Sequence, residues 1–360
     1  MISNDHSTYK ENTKTMKKTY PLKRIIFVLF VLVIIAFIPT PYYLHQPGPI
    51  EELEPKITVE GGHKDEKGSF HLTTVLSVKA FNPYILAYGL VAPHTDIMKD
   101  EEVMGDLTDE EYTRLLDFMM KDSQQNALVA GFREAGEHVE IDYHGIFVSS
   151  IIADSPAKKV LKVGDLITSI DGKKMKEASE FISYIEENKT IGDHATLTFK
   201  RGKKEIKKTV EMITLDAATK KVGIGIVPEE EFTATISKDV KINSDDIGGP
   251  SAGLMFSLEI YNQLTPEDLT KGYKIAGTGT IDHNGNVGQI GGIKHKIFAA
   301  YEEGADIFFT PKDINPIDMN EQEVNDIVKE NGYDIEVVPV ATLGEAVEYL
   351  EGLEEKEKDE

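Results

Sequence analysis

Twenty consecutive residues, Ile25 to Leu44, carry no charge, and their centre reads IIFVLFVLVIIAFI. At a rise of about 1.5 Å per residue, a helix of that length just crosses the hydrocarbon core of a bilayer. Residues 25–44 are therefore expected to form a transmembrane signal anchor. No small-residue cleavage site of the A-x-A type follows, and Pro39-Thr40-Pro41-Tyr42-Tyr43 has the composition of an interfacial collar; a cleaved signal peptide and a buried helix are the alternatives. Before the run, Lys10, Lys14, Lys17, Lys18, Lys23 and Arg24 outnumber Asp5 and Glu11, whereas Glu51, Glu52 and Glu54 open an acidic region after it. The positive-inside bias assigns residues 1–24 to a cytoplasmic basic tail, and everything after Leu44 to the outer face of the cell membrane, in a single-pass protein.

At 360 residues the chain is long enough for two domains with real cores. Its 62 acidic against 39 basic residues, a formal charge of −23, argue against nucleic acid as a partner. There is no cysteine, so neither a disulfide nor a thiolate metal site can form. The ten histidines include no H-E-x-x-H, and no G-x-x-x-x-G-K-[ST] occurs, so the sequence predicts neither a metal, nor ATP binding, nor any other cofactor.

Ile247-Gly248-Gly249-Pro250-Ser251-Ala252-Gly253-Leu254 sets a serine among small residues, directly before an apolar helical pattern of Leu254, Met255, Leu258, Ile260 and Tyr261. At a helix N-terminus the free backbone N–H groups can meet a developing oxyanion, with Gly249 and Ala252 as small supporting neighbours. The plain structural alternative is that Ser251 caps the helix and the glycines make a turn. Downstream, Gly291-Gly292-Ile293-Lys294-His295-Lys296-Ile297 brings Lys294 into an otherwise apolar strand-to-helix junction. Burial can lower a lysine pKa by several units, enough for the neutral amine to accept a serine proton. A solvated surface lysine is the alternative.

Together, GGPSAG and TGTIDHNGNVGQIGGIKHK resemble the proteolytic domain of Lon-type serine proteases, over roughly Lys221 to Leu350. The resemblance implies Ser251 as nucleophile and Lys294 as base of a Ser-Lys dyad. Thr278 falls where that family has a threonine near the lysine. The common bacterial Lon pattern has an Asp three residues before the serine, where this chain has Gly248. Gly249-Pro250-Ser251-Ala252-Gly253 also fits the G-x-S-x-G elbow of α/β-hydrolases, which would require His283 or His295 as base and an oxyanion loop that the sequence does not show.

An α+β chain is expected. Residues 50–127 hold early strands (Ile57-Thr58-Val59; Phe70 to Val78) and a helix with Tyr112, Leu115, Leu116 and Met119 on a core-facing stripe, and these are taken as belonging to the protease domain. Residues 128–213 resemble a PDZ domain of the bacterial protease-associated type, on His144-Gly145-Ile146-Phe147-Val148, Ser155-Pro156-Ala157 and Val163-Gly164-Asp165-Leu166 through Asp171-Gly172. PDZ domains bind extended peptides by strand addition. The groove is expected between Ile146, Phe147 and Val148 and the helix bearing Phe181, Ile182 and Ile185. Residues 214–350 are assigned to the Lon-type domain and 351–360 to an acidic disordered tail. The combination resembles the membrane-anchored, ATP-independent proteases of Firmicutes, including those that trim exported signalling peptides. It implies a serine endopeptidase taking peptides or unstructured protein segments, with the oligomeric state left open. A catalytically silent PDZ scaffold at the cell surface is the alternative.

Overall fold

The computed structural model describes residues 22–64, 67–216, 219–244 and 247–357. The first elements are α1 (Leu22–Ile35), β1 (Tyr42–Glu52), β2 (Ile57–Val59), β3 (Ser69–Lys79), α2 (Pro83–Gly89), β4 (Asp96–Lys99), α3 (Asp100–Met104) and α4 (Asp109–Glu134). A smaller unit follows, with β5 (Glu140–Ile151), β6 (Leu166–Ile170), β7 (Lys173–Lys174), α5 (Ala178–Asn188), β8 (His194–Arg201), β9 (Lys204–Glu211), β10 (Ile213–Asp216), β11 (Lys221–Gly223) and β12 (Ile226–Thr235). The chain closes with β13 (Val240–Ile242), α6 (Gly253–Leu264), β14 (Lys274–Gly277), β15 (Thr280–Ile281), β16 (Val287–Gly288), α7 (Ile293–Glu302), β17 (Ile307–Pro311), α8 (Asn320–Asn331), β18 (Glu336–Val340) and α9 (Leu343–Glu351).

Six strands in the order β18-β17-β14-β3-β1-β4 make the main sheet, so the early strands β1 and β3 lie beside strands from the far end of the chain. The β18, β17, β14 and β3 neighbours run parallel, and β1 is antiparallel to both β3 and β4. Alternation along the strands divides the apolar residues between two faces. Ile275, Ile307 and Phe309 point into the core shared with α4, α6 and α9, whereas Ala276 and Phe308 point to the opposite face, covered by α7 and α8. The long helix α4 starts from a capping box: Thr108 Oγ1 accepts from the Glu111 N–H, and the Glu111 carboxylate accepts from the Thr108 N–H.

The smaller sheet runs β12-β5-β6-β8-β9 with α5 against it. Its core holds Ile146, Val148, Ile167, Phe181, Ile185, Leu197 and Phe199. β5 and β12 are long enough to serve both units. Tyr143 and Phe232 pack in the larger core, while Ile146, Val148 and Ile226, farther along the same pair, pack in the smaller one. The boundaries expected at 128 and 213 therefore move. Leu128 lies within α4, in the larger core, and β10 to β12 continue the smaller unit beyond residue 213.

The N-terminal run also differs from expectation. Helix α1 ends at Ile35, turn-type bonds carry the chain to Ile38, and Pro39 and Pro41 stop further helix. Tyr42, Tyr43 and Leu44 are the start of β1, with Leu44 fully buried, so residues 25–44 are not one span. Among the described residues no helix is long and apolar enough to cross a membrane. The basic tail up to residue 21 lies outside the described residues. At the other end, residues 352–357, expected to be disordered, lie against the body. The Lys356 N–H donates to the Lys271 carbonyl, and its Nζ pairs with Asp306 at 2.6 Å.

Candidate active site

Ser251 stands in the turn that leads into α6, with Ala252 as the N-cap and Gly249 at φ +87°, a conformation that glycine adopts without penalty. A backbone clamp fixes this turn to the exit of β14. The Gly279 N–H donates to the Ser251 carbonyl at 3.0 Å, and the Leu254 N–H donates to the Gly279 carbonyl at 3.1 Å. The approach is close enough that a Cβ on Gly277 would lie 2.6 Å from Met255 Sδ and 2.9 Å from Phe309 Cβ. Thr278, wholly buried, donates its hydroxyl hydrogen to the Ser251 carbonyl at 3.0 Å.

The amine that meets Ser251 belongs to Lys296, not to Lys294. Lys296 Nζ lies 2.8 Å from Ser251 Oγ and 2.8 Å from Thr278 Oγ1, and the residue is 2% exposed. Burial pushes its pKa down from 10.5 to about 7. Keeping the amine neutral at pH 7 is thus easier than in water by roughly 5 kcal/mol. Helix geometry decides between the two lysines. Gly292, at φ +68°, starts α7, and Ile293, Lys296, Ile297 and Ala300 fall at i, i+3, i+4 and i+7 on the buried face. Lys294 projects to the other side, where its Nζ pairs with Asp96 at 2.6 Å.

Thr278 orients the dyad. Its single hydrogen is directed to the Ser251 carbonyl, so its oxygen can only accept from Lys296. One N–H of the neutral amine is spent there, and the lone pair is left for the serine proton. The histidines stand apart from this bond. His283 contacts the Phe232 ring, and His295 Nε2 faces Asp96 at 3.1 Å, with burial pushing its imidazole below the ordinary value. The α/β-hydrolase reading thus has no histidine on Ser251 among the described residues.

Two cavities meet at Ser251. One of about 330 Å³ runs along Thr73 to Leu76 of β3, past Gly248 and Ile247; the other, about 830 Å³, lies between Gly291 to His295 and Met98, Tyr112 and Leu116. A chain crossing Ser251 has room on either side. Tyr112 and Leu116, expected to be core, are half-buried walls of the second cavity. Their helical stripe looks the same in sequence whether it faces a core or a cleft.

The peptide groove of the smaller unit also shifts. Ile146 and Phe147 pair with β12 on one side and β6 on the other, and Val148 is likewise enclosed, so this strand has no open edge. The edge strands are β12 and β9, and at the start of β12 a cavity of about 150 Å³ lies between α5 (Phe181, Ile182, Ile185) and Val222 to Ile226. Gly225, at φ +82°, forms its floor, and a Cβ there would lie 2.5 Å from Ser155 Cβ. Phe181, Ile182 and Ile185 line this cavity, whereas Ile146, Phe147 and Val148 do not, and Val222 to Ile226 stand opposite the helix.

Comparison with known proteins finds both units, with a PDZ match that ends before β10 to β12. Residues 117–212 match the PDZ domain family, and residues 201–351 match the Lon protease (S16) C-terminal proteolytic domain. The Lon protease of Mesomycoplasma hyopneumoniae is 35% identical over 102 residues, which is 28% of this chain and 11% of that protein. That of Mycoplasma mobile is 38% identical over 104 residues (29% and 12%), and that of Brucella suis biovar 1 is 30% identical over 144 residues (40% and 17%). The chain thus spans no more than 17% of the length of these three relatives. Among solved structures, the PDZ domain of an SdrC-like protein from Listeria monocytogenes is 38% identical and covers 25% of this chain and 92% of that one, with a TM-score of 0.24. The chain thus contains a region similar to the Lon-type proteolytic domain and a region similar to the PDZ domain.

Proposed function

We propose that the chain is an ATP-independent serine endopeptidase, tethered to the cell membrane through its N-terminal apolar run, that cuts exported peptides and flexible protein segments outside the cell. One observation carries the chemistry: a buried lysine amine in contact with both Ser251 Oγ and Thr278 Oγ1, its pKa lowered by burial to about 7. Ser251 Oγ attacks the scissile carbonyl carbon as its proton passes to Lys296 Nζ. Backbone N–H groups of the Ser251 turn, ahead of α6, hold the oxyanion; the Leu254 N–H is not among them, since it donates to the Gly279 carbonyl. Lys296 then returns the proton to the leaving amine as the C–N bond breaks, and deprotonates the water that hydrolyses the acyl-enzyme. The tether and its orientation are supported by the uncharged run and its basic flank, and nucleotide independence by the absence of a P-loop pattern from the sequence. The PDZ unit offers the edge of β12 and the α5 cavity to an extended peptide.

Purified full-length protein in vesicles should hydrolyse an unstructured fluorogenic peptide without nucleotide, and Ser251→Ala should not. Stimulation by Mg-ATP, or cleavage retained in Ser251→Ala, would overturn the reading. The same assay carries a pH prediction. Only the unprotonated amine can accept the serine proton, so kcat/KM should rise about tenfold per pH unit below the lysine pKa and level off above about pH 7. A plateau extending unchanged down to pH 5 would exclude Lys296 as the base.

A further inference from the structure

Residues 80–93, AFNPYILAYGLVAP, carry no charge in a chain whose charged fraction is 28%. They form a strap between β3 and β4, and its outer side is apolar: Phe81, Tyr84, Tyr88, Leu90 and Val91 are exposed, Val91 by 82%. The strap is built, not frayed. Asn82 Oδ1 caps α2 by accepting from the Tyr84 and Ile85 N–H groups, and a Cβ on Gly89 would lie 2.4 Å from the buried Leu44 Cδ2, so the helix sits tightly on β1. The strap also touches the N-terminal helix. The Tyr84 hydroxyl donates to the Leu32 carbonyl of α1 at 2.7 Å, and the apolar residues of α1 from Leu22 to Ile34 are exposed, as are Phe37 and Ile38. Behind the strap, Ala92, His94, Thr95 and Asp96 wall a cavity of about 540 Å³, and Asp96 is the residue that pairs with Lys294 and His295 beside Ser251.

We propose that the outer side of this strap docks into the lipid interface, as a second membrane contact next to α1, and holds the active-site cleft against the bilayer surface. The occupant is the bilayer itself, for two reasons on the molecule: the Tyr84–Leu32 hydrogen bond sets the uncharged strap directly beside the exposed apolar α1, and its tyrosines pair an apolar ring with a polar tip, as interfacial side chains do. The proposal rests on the reading of the N-terminal run as a membrane tether.

The sequence contains no tryptophan, so a single introduced tryptophan reports on one position. Full-length Phe30→Trp (in α1), Val91→Trp (in the strap) and Ile191→Trp (exposed, in the smaller unit) would each be reconstituted into phosphatidylcholine vesicles with and without brominated acyl chains. Phe30→Trp and Val91→Trp should show blue-shifted emission, quenched about twofold or more by the brominated lipid, and Ile191→Trp neither. If Phe30→Trp is quenched while Val91→Trp behaves like Ile191→Trp, the strap inference fails and the tether stands. If Val91→Trp is blue-shifted but unquenched, a second protein surface covers the strap and the inference fails. If Ile191→Trp is quenched equally, the signal is unspecific adsorption and the inference fails. If Phe30→Trp is itself unquenched, the tether fails and takes the inference with it.

Discussion

Lys296→Met is expected to lower hydrolysis of an unstructured peptide by roughly 10³-fold or more, as Ser251→Ala does, because members of a dyad act as a unit. Lys294→Ala should stay within about fivefold of wild type, since a half-exposed ion pair with Asp96 is worth little. The two substitutions separate the lysines by function as α7 separates them in space. Lys296→Met also controls for folding. Between pH about 7 and 10.5 the unfolded chain holds a proton at this position that the folded protein does not, so stability rises with pH across that window. The buried amine therefore costs stability in full below pH 7. An apolar side chain of similar length removes that cost, so Lys296→Met should melt no lower than wild type at neutral pH, and lost activity cannot be put down to unfolding. Loss of activity in Lys294→Ala with activity kept in Lys296→Met would reverse the assignment.

The sequence motif points to Lys294, and helix α7 puts Lys296 on Ser251. Both lysines follow the same Gly-Gly pair, and a motif read without its helical phase cannot rank them. The phase is nevertheless present: Ile293, Ile297 and Ala300 define the inward stripe, and Lys296 is the lysine that stands on it. Ser251 is marked in the sequence by its small neighbours before an apolar helical pattern, whereas Thr278 is reached only through the resemblance to Lon-type domains. Other features carry no such mark. Tyr112 and Leu116 belong to a stripe whose period says only that something covers it, and here that is partly an open cleft. Ile146 to Val148 form a continuous apolar run, buried on both faces, but which strands form the sheet edges depends on long-range pairing, and here those are β12 and β9. The uncharged run from Ile25 to Leu44 crosses from helix to strand because hydrophobicity alone does not register the two prolines that stop the helix.

Replacing residues 146–230 by Asn-Gly, with Phe118→Gln, is expected to reduce cleavage of the native substrate by roughly tenfold or more while leaving hydrolysis of a short reporter peptide within about threefold of wild type. The cut is set by strand register. Gly145 and Glu231 are paired across β5 and β12, so a two-residue turn of the type that Asn-Gly favours can close the shortened pair as a hairpin. Tyr143 and Phe232, their rings 5.9 Å apart, then remain in the larger core, whereas a cut at 128 would remove the buried end of α4. Phe118 is changed because the deletion removes Phe147, whose ring stacks on it at 3.5 Å. None of Ser251, Thr278 or Lys296 lies in the deleted segment, so the reporter reads the dyad by itself. The native substrate loses the β12 edge and the α5 cavity, and with them the raised local concentration of its scissile bond. Equal loss on both substrates, in a variant whose melting remains cooperative, would mean that the PDZ unit acts on the catalytic site itself. Equal retention would place substrate choice in the two cavities that meet at Ser251.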